Sequence, residues 1–280
     1  MDGILLLNKE IGYSSFQAIN KAKKIIKADK VGHSGTLDPF ASGLLVVTVN
    51  KATKVNQFIE TQDKEYIASL KLGIKTSTLD LEGEVVATKE VPTLTEEIII
   101  NALNKFKGKI KQVPPMFSAL KVNGQKLYDL ARQGIEVERK EREVEIFNIE
   151  LISFEKDIIN FKVHCSKGTY VRTLGESISE ELNTYGHLVN LIRTRVGNFE
   201  LKDAYKLDEL DNFKLLPIKE ALVNYPKIKL NDEEIIKVKN GLKFRFNSLE
   251  DELLIIDKDE NPIAIYEKEG NIYRSKRGLF

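Results

Sequence analysis

Tryptophan is absent from these 280 residues, and cysteine and methionine number one and two. With Cys165 alone there is no internal disulfide and no thiolate set for a metal cluster, and a lone thiol suits a reducing compartment. His33, His164 and His187 show neither an i, i+4 spacing nor an HExxH pattern, so no metal is expected. Long apolar runs are missing: Ile4–Leu7, behind the acidic start Met1-Asp2-Gly3, is too short for a membrane span or a signal peptide. The expectation is a soluble cytoplasmic protein with no membrane role. A surplus of one charge is missing too, since 43 basic and 42 acidic side chains leave a net charge of +1. Nucleic-acid binding would then need a local basic face rather than a basic protein. There is no internal repeat, no phosphate-loop motif and no Gly-x-Ser-x-Gly elbow.

What is present reads as a folded chain with a real core, long enough for a large domain and a small one. Gly3–Asn8 is a short buried strand. Ser14 or Ser15 can cap a helix whose apolar side carries Phe16, Ile19, Ala22 and Ile26. Its other side carries Lys21, Lys23, Lys24 and Lys27, with Lys30 just beyond; this is either a solvated face or a phosphate contact. Leu44–Val49 is a strand, and Ala52, Val55, Phe58 and Ile59 mark a short helix. Lys64–Leu72 alternates, with Tyr66, Ala68, Leu70 and Leu72 on one face. Lys75–Gly83 is a polar loop. Thr93 and Glu96 pair as a capping box for a helix bearing Ile99, Ala102, Leu103 and Phe106, stopped by Gly108.

Asn123-Gly124 signals a tight turn, and Leu127, Tyr128, Leu130 and Ala131 a short helix ended by Gly134. Glu143–Phe154 and Ile158–Val163 are strands that can pair. Ser166–Thr173 opens a helix running to about Leu182, and Leu188–Phe199 carries a further strand. This order predicts an α+β fold: a mixed, largely antiparallel sheet with flanking helices. After Pro217–Pro226 the pattern changes. Asn231 and Glu234 cap a helix containing Ile235, Ile236 and Val238. Four short strands then follow: Lys243–Phe246, Leu253–Asp257, Pro262–Tyr266 and Asn271–Arg274. They predict a small β-barrel or sandwich, which divides the chain into 1–225 and 226–280.

The chemically suggestive stretch is Gly32-His33-Ser34-Gly35-Thr36-Leu37-Asp38-Pro39-Phe40-Ala41-Ser42-Gly43. Its glycines permit tight backbone, and Pro39 restricts Asp38 to extended angles. Taken alone it is also an ordinary Asp-Pro turn before a core strand. Asp38 is a candidate nucleophile or base. Arg172, at a strand-to-helix corner, could hold a carboxylate in its ionised form. Tyr66 and Tyr170 each offer a ring and a hydroxyl, and His33 could stack on a base or bond to it. The plain alternatives are a core Tyr66 and a Tyr170–Arg172 pair that merely pins sheet to helix.

Five stretches in one order resemble the TruB-type tRNA pseudouridine-55 synthases. The first is Gly32–Pro39 with Ala41-Ser42-Gly43, the family's catalytic motif. Lys51-Ala52-Thr53-Lys54, Asp63-Lys64-Glu65-Tyr66 and Pro114–Lys121 with Leu127-Tyr128 and Ala131–Gly134 follow it. The last is Cys165–Thr173, and His187, Leu191 and Arg193 match the segment that closes the uracil pocket. The resemblance implies a catalytic Asp38 paired with Arg172, and Tyr66 stacked on the target uracil and active in proton removal. It implies Tyr170 and Leu191 lining the pocket, His33 against the T-loop, and Lys9, Lys54 and Lys167 as basic substrate contacts. It also implies an RNA-binding domain of the PUA type at 226–280. The substrate would be the T-arm of tRNA, with no required protein partner and a monomeric enzyme. Three departures stand out: Asn8-Lys9-Glu10 for Asp-Lys-Pro, Phe117 for a frequent tyrosine, and Ser77 for an acidic residue.

The chemistry is self-consistent. Making pseudouridine breaks the N1–C1′ bond, turns the base and joins C5 to C1′; nothing is oxidised, so no cofactor is implied. An ionised aspartate would attack covalently or take a ribose proton, and the sequence leaves both routes open. A base within a folded loop must first be flipped out. The rival readings are a non-catalytic RNA-binding protein, and a glycoside hydrolase using Asp38 with Asp80.

Overall fold

The computed structural model describes every residue except Ala119 and Asn123, and of Lys126 the backbone only. The first strand, β1 (Gly3–Lys9), is followed by helix α1 (Ser15–Ile25), β2 (Val31–Ser34) and β3 (Ser42–Val49). A 3₁₀ turn (Asn50–Val55) leads into α2 (Asn56–Glu60) and β4 (Lys64–Leu72). Next come the ribbon β5 (Ile74–Thr76) and β6 (Val85–Thr88), then α3 (Glu96–Asn104) and β7 (Gly108–Gln112). The hairpin β8 (Lys121–Val122) and β9 (Gln125–Lys126) precedes α4 (Leu127–Arg132). Then come β10 (Arg142–Glu155), β11 (Ile158–Cys165), α5 (Val171–Glu181), β12 (Gly186–Val196) and β13 (Phe199–Glu200). The C-terminal part holds β14 (Lys227–Lys229), α6 (Asp232–Lys239), β15 (Glu252–Ile256), β16 (Pro262–Glu269) and β17 (Ile272–Gly278).

One nine-stranded sheet runs β1-β3-β12-β4-β11-β10-β7, with β2 on β3 and β13 on β12. Its pairings are antiparallel except β3 with β12, which run parallel through Ser42–Ile192 and Gly43–Arg193. The expected α+β class is what is found. Strand β4 shows why one face is buried: Lys64, Tyr66, Ala68, Leu70 and Leu72 turn inward while the residues between them stay half-exposed. Helices α3 and α5 cover that face, packing Ile99, Leu103, Leu174 and Ile178 onto Leu70, Phe161 and Leu188. At the other end β1 and β3 are apolar on both sides, and α1 closes one of them with Ala18, Ile19 and Ala22.

Ser14 caps α1 in a reciprocal box with Gln17. Phe16, expected on the apolar stripe, is 68% exposed. The stripe runs through Ser15, Ile19 and Ala22, and one residue's step of about 100° carries Phe16 off its edge. Helix α3 starts at Glu96 under a Thr95 cap that accepts from Ile98 N, so the expected Thr93 cap is corrected: Glu96 is the first helical residue, too early to close a box. The Asn123-Gly124 turn has its first residue outside the described set. Strands β8 and β9 nevertheless pair across it.

The C-terminal sheet runs β14-β15-β16-β17, with β14 parallel to β15. The expected strand at Lys243–Phe246 does not form. Phe244 and Phe246 stack on each other at 5.4 Å and pack against Tyr266, so these rings serve as core plugs. Lys227–Lys229 supplies the fourth strand instead. The other sheet face meets the first one directly, since Leu254, Ile256, Ile265 and Leu279 share a core with Ile4, Leu6, Leu44 and Val46.

Candidate active site

The loop between β2 and β3 is shaped by its neighbours. Ser15 at the start of α1 donates to Leu37 O and accepts from Leu37 N, at 3.0 and 2.8 Å, fixing the residue before Asp38. Lys9, only 1% exposed, donates to the carbonyls of Glu10, Tyr13 and Pro39. Leu37, Phe40 and Ala41 are buried beneath the loop. Gly43, at φ +101°, lies so close to β12 that a Cβ there would come within 2.4 Å of Arg193 O.

Arg172, the second residue of α5, reaches this loop from the opposite side. Its Nε lies 2.9 Å from Asp38 Oδ2 and its Nη1 3.6 Å from Asp80 Oδ2. The same guanidinium donates to Thr78 O and Phe117 O at 2.9 and 2.8 Å. It is 3% exposed, so its charge is balanced by carboxylates and carbonyls rather than water. Asp38 sits deep in the protein yet keeps 34% of its side chain open to the adjoining cavities. Burial pushes its carboxyl above the ordinary value; Arg172 opposes that rise and Asp80 adds to it.

Two cavities meet at Asp38. The smaller, about 320 Å³, is walled by Tyr66, Tyr170, Leu191, Arg193 and Lys64. The larger, about 670 Å³, is bordered by His33, Phe16, Asp80, Glu82, Tyr128 and Arg132. Tyr66 is 8% exposed, and burial raises its hydroxyl's pKa against the pull of Arg193. Arg193 itself is fixed by donating to Leu44 O and Gly35 O. Burial also lowers the pKa of His33, which keeps that ring neutral near pH 7, with Arg193 adding to the effect. Lys64, donating to Glu60 O and Gln62 O, is pushed down to about 8 by burial.

The structure thus gathers Asp38, Arg172, Tyr66, Tyr170 and Leu191 at one cavity and His33 at the next. Lys167 is exposed in the turn beside the smaller cavity's Gly168. Lys9 lies behind the loop, its ammonium turned to carbonyls, and burial lowers it to about 8. Lys54 lies apart from both cavities, donating to Phe280 O. Sequence reasoning gave no site role to Lys64 or Ser118, and named Asp80 only as the second carboxylate of the rival hydrolase reading. Lys64 was findable, because it shares Tyr66's face of β4 by the two-residue period. Asp80's place beside Arg172 was not, since the bridge of its loop to Leu188 on β12 brings it there. Among the described residues no group of three or more His, Cys, Asp and Glu side chains could hold a metal ion.

The fold matches solved structures over nearly the whole chain. A chain in the crystal structure of a Cbf5-Nop10-Gar1 complex superposes with a TM-score of 0.76 at 24% identity, covering 99% of this chain and 85% of that one. The sequence pattern of the TruB family pseudouridylate synthase N-terminal domain matches residues 23–171. The tRNA pseudouridine synthase B of Clostridium kluyveri is 46% identical over 89% of this chain and 87% of its own length. That of Bacillus pumilus is 41% identical over 96% and 93%. The family pattern and these relatives make it a nucleoside-isomerising enzyme, a pseudouridine synthase. The chain belongs to the TruB family of pseudouridylate synthases.

Proposed function

We propose that this tRNA pseudouridine synthase converts uridine 55 of the T-loop to pseudouridine, with Asp38 as the reacting carboxylate. The observation that carries the reading is the Asp38–Arg172 ion pair at a cavity walled by Tyr66, Tyr170 and Leu191. The guanidinium holds the carboxylate in one orientation and favours its charge. The smaller cavity is sized for a base, and its Tyr66, Tyr170 and Leu191 walls keep a detached uracil from diffusing away during its turn. Asp38 then either attacks C1′ or takes a ribose proton; its geometry serves both. Tyr66 stacks on the base and acts in proton removal. His33, neutral and at the second cavity, contacts the loop from which the uridine has been extruded.

The remaining assignments follow their placement. Lys167 stands exposed beside the pocket as a phosphate contact. Lys9 serves the substrate indirectly by holding Pro39. Lys54 serves the bond between the catalytic part and the C-terminal segment. Residues 226–280 form a PUA-type RNA-binding unit against 1–225. The enzyme works as a monomer in the cytoplasm on the tRNA T-arm, needing neither cofactor nor protein partner. No helix among the described residues is long and apolar enough to cross a membrane.

The test is tritium release from C5-labelled uridine in tRNA, with mapping of the modified position. Asp38→Asn is expected to abolish release while tRNA still binds. Turnover by that variant, or modification elsewhere in the tRNA, would refute the assignment.

A further inference from the structure

Five buried side-chain atoms have no hydrogen-bond partner among the described residues: His33 Nδ1, Gln62 Oε1, Ser118 Oγ, Arg139 Nε and Thr173 Oγ1. A buried polar group left unpaired is costly, and at a functional site it commonly awaits a ligand. Ser118 differs from the other four by its position. It is 5% exposed and borders both cavities, as do Thr36, Leu37, Asp38 and Arg172. Those five residues form the neck between the two chambers.

The neck fixes what must lie beside Ser118. When the target base fills the smaller cavity and its neighbours stay outside, the neck holds the sugar of the target nucleotide. Asp38 requires the same arrangement, because both of its possible reactions are with the ribose. The residue is held firmly on either side of its hydroxyl. Phe117 O accepts from Arg172, Ser118 N donates to Met116 O, and Ser118 O accepts from Tyr128 N. Only the hydroxyl is uncommitted, and it can turn about the Cα–Cβ and Cβ–Oγ bonds.

We propose that the Ser118 hydroxyl hydrogen-bonds the 2′-oxygen of the target uridine's ribose, setting the sugar's position against Asp38. A hydroxyl both donates and accepts, so it can meet a 2′-OH in either sense. This rests on the reaction proposed above, and the two fail separately: wild-type protein that leaves uridine in tRNA unchanged overturns the reaction, whatever Ser118 does.

The experiment is a cycle of four dissociation constants. Proteins with Ser118 (wild type at this position) or Ser118→Ala, both carrying Asp38→Asn so that the uridine is bound without being converted, are each titrated with tRNA carrying uridine or 2′-deoxyuridine at the target position. Loss of one neutral hydrogen bond is expected to weaken the Ser118 protein's binding of the deoxy tRNA about fivefold. Ser118→Ala should bind both tRNAs alike, within about twofold, because the contact is already gone. With Asp38 in place, its single-turnover rate on the uridine tRNA should fall about fivefold or more. Its melting temperature should not fall, since the hydroxyl bonds nothing in the free protein. An equal deoxy penalty in both proteins, no penalty with Ser118 present, or a markedly lower melting temperature for the variant would each overturn the proposal.

Discussion

Arg172 divides its charge between Asp38 at 2.9 Å and Asp80 at 3.6 Å. Burial disfavours charge on Asp38, and Glu82 at the outer cavity is likewise raised, chiefly by burial. Either route proposed for Asp38 needs its carboxylate ionised. A carboxyl whose pKa is raised stays protonated to higher pH, so activity should fall away on acidification above the ordinary value of 3.8. Asp80→Asn removes a like charge and leaves more of Arg172 to Asp38. Both changes lower the pKa of Asp38, so the acid limb of kcat/KM should move to lower pH; a limb that stays put or moves up would contradict this account. The rate at the plateau should still fall, because the Asn amide nitrogen puts a donor where Oδ2 faced Arg172 Nη1, even though its Oδ1 can keep the bonds from Thr78 Oγ1 and Glu82 N.

The elements that aim these residues meet where β3 leaves the catalytic loop. Ser42 and Gly43 make that strand's parallel contact with β12, with the Gly43 backbone pressed against Arg193. Gly43→Ala forces a side chain into a positive-φ position and against a carbonyl, so it should cost about 2 kcal/mol or more in urea unfolding. It should also lower kcat, because Arg193 braces Gly35 and walls the same cavity as Tyr66. Most of these elements were legible in the sequence, because β4 alternates strictly and α1 carries its own capping box. What stayed illegible depends on long-range packing. The strand expected at Lys243–Phe246 was a pair of aromatic plugs, since alternating rings fit a sheet and a core equally well. Lys227–Lys229 is too short to announce itself, and becomes a strand only beside β15. At the site, Asp38, Tyr66 and Arg172 could be singled out by residue type, whereas two of the groups that hold Arg172 are the backbone carbonyls of Thr78 and Phe117, which no side-chain pattern reveals.

At the scale of the whole molecule, the two sheets do not stand apart. Leu254, 1% exposed, lies in the core shared by β1, β3 and the C-terminal strands. Leu254→Ala should therefore lower the stability of the entire chain by about 2–5 kcal/mol. Calorimetry should show one transition moving as a unit; a C-terminal transition separating from an unchanged main one would mean that the parts fold independently. The guanidinium of Arg172 has a related consequence. It collects Asp38, Asp80 with Thr78, and Phe117 from three stretches far apart in sequence, onto a helix that begins at residue 171. The site thereby behaves as a conjunction: the carboxylate is armed only when every contributing stretch has arrived. A nascent or damaged chain lacking any one of them would be silent toward RNA instead of reacting at the wrong uridine.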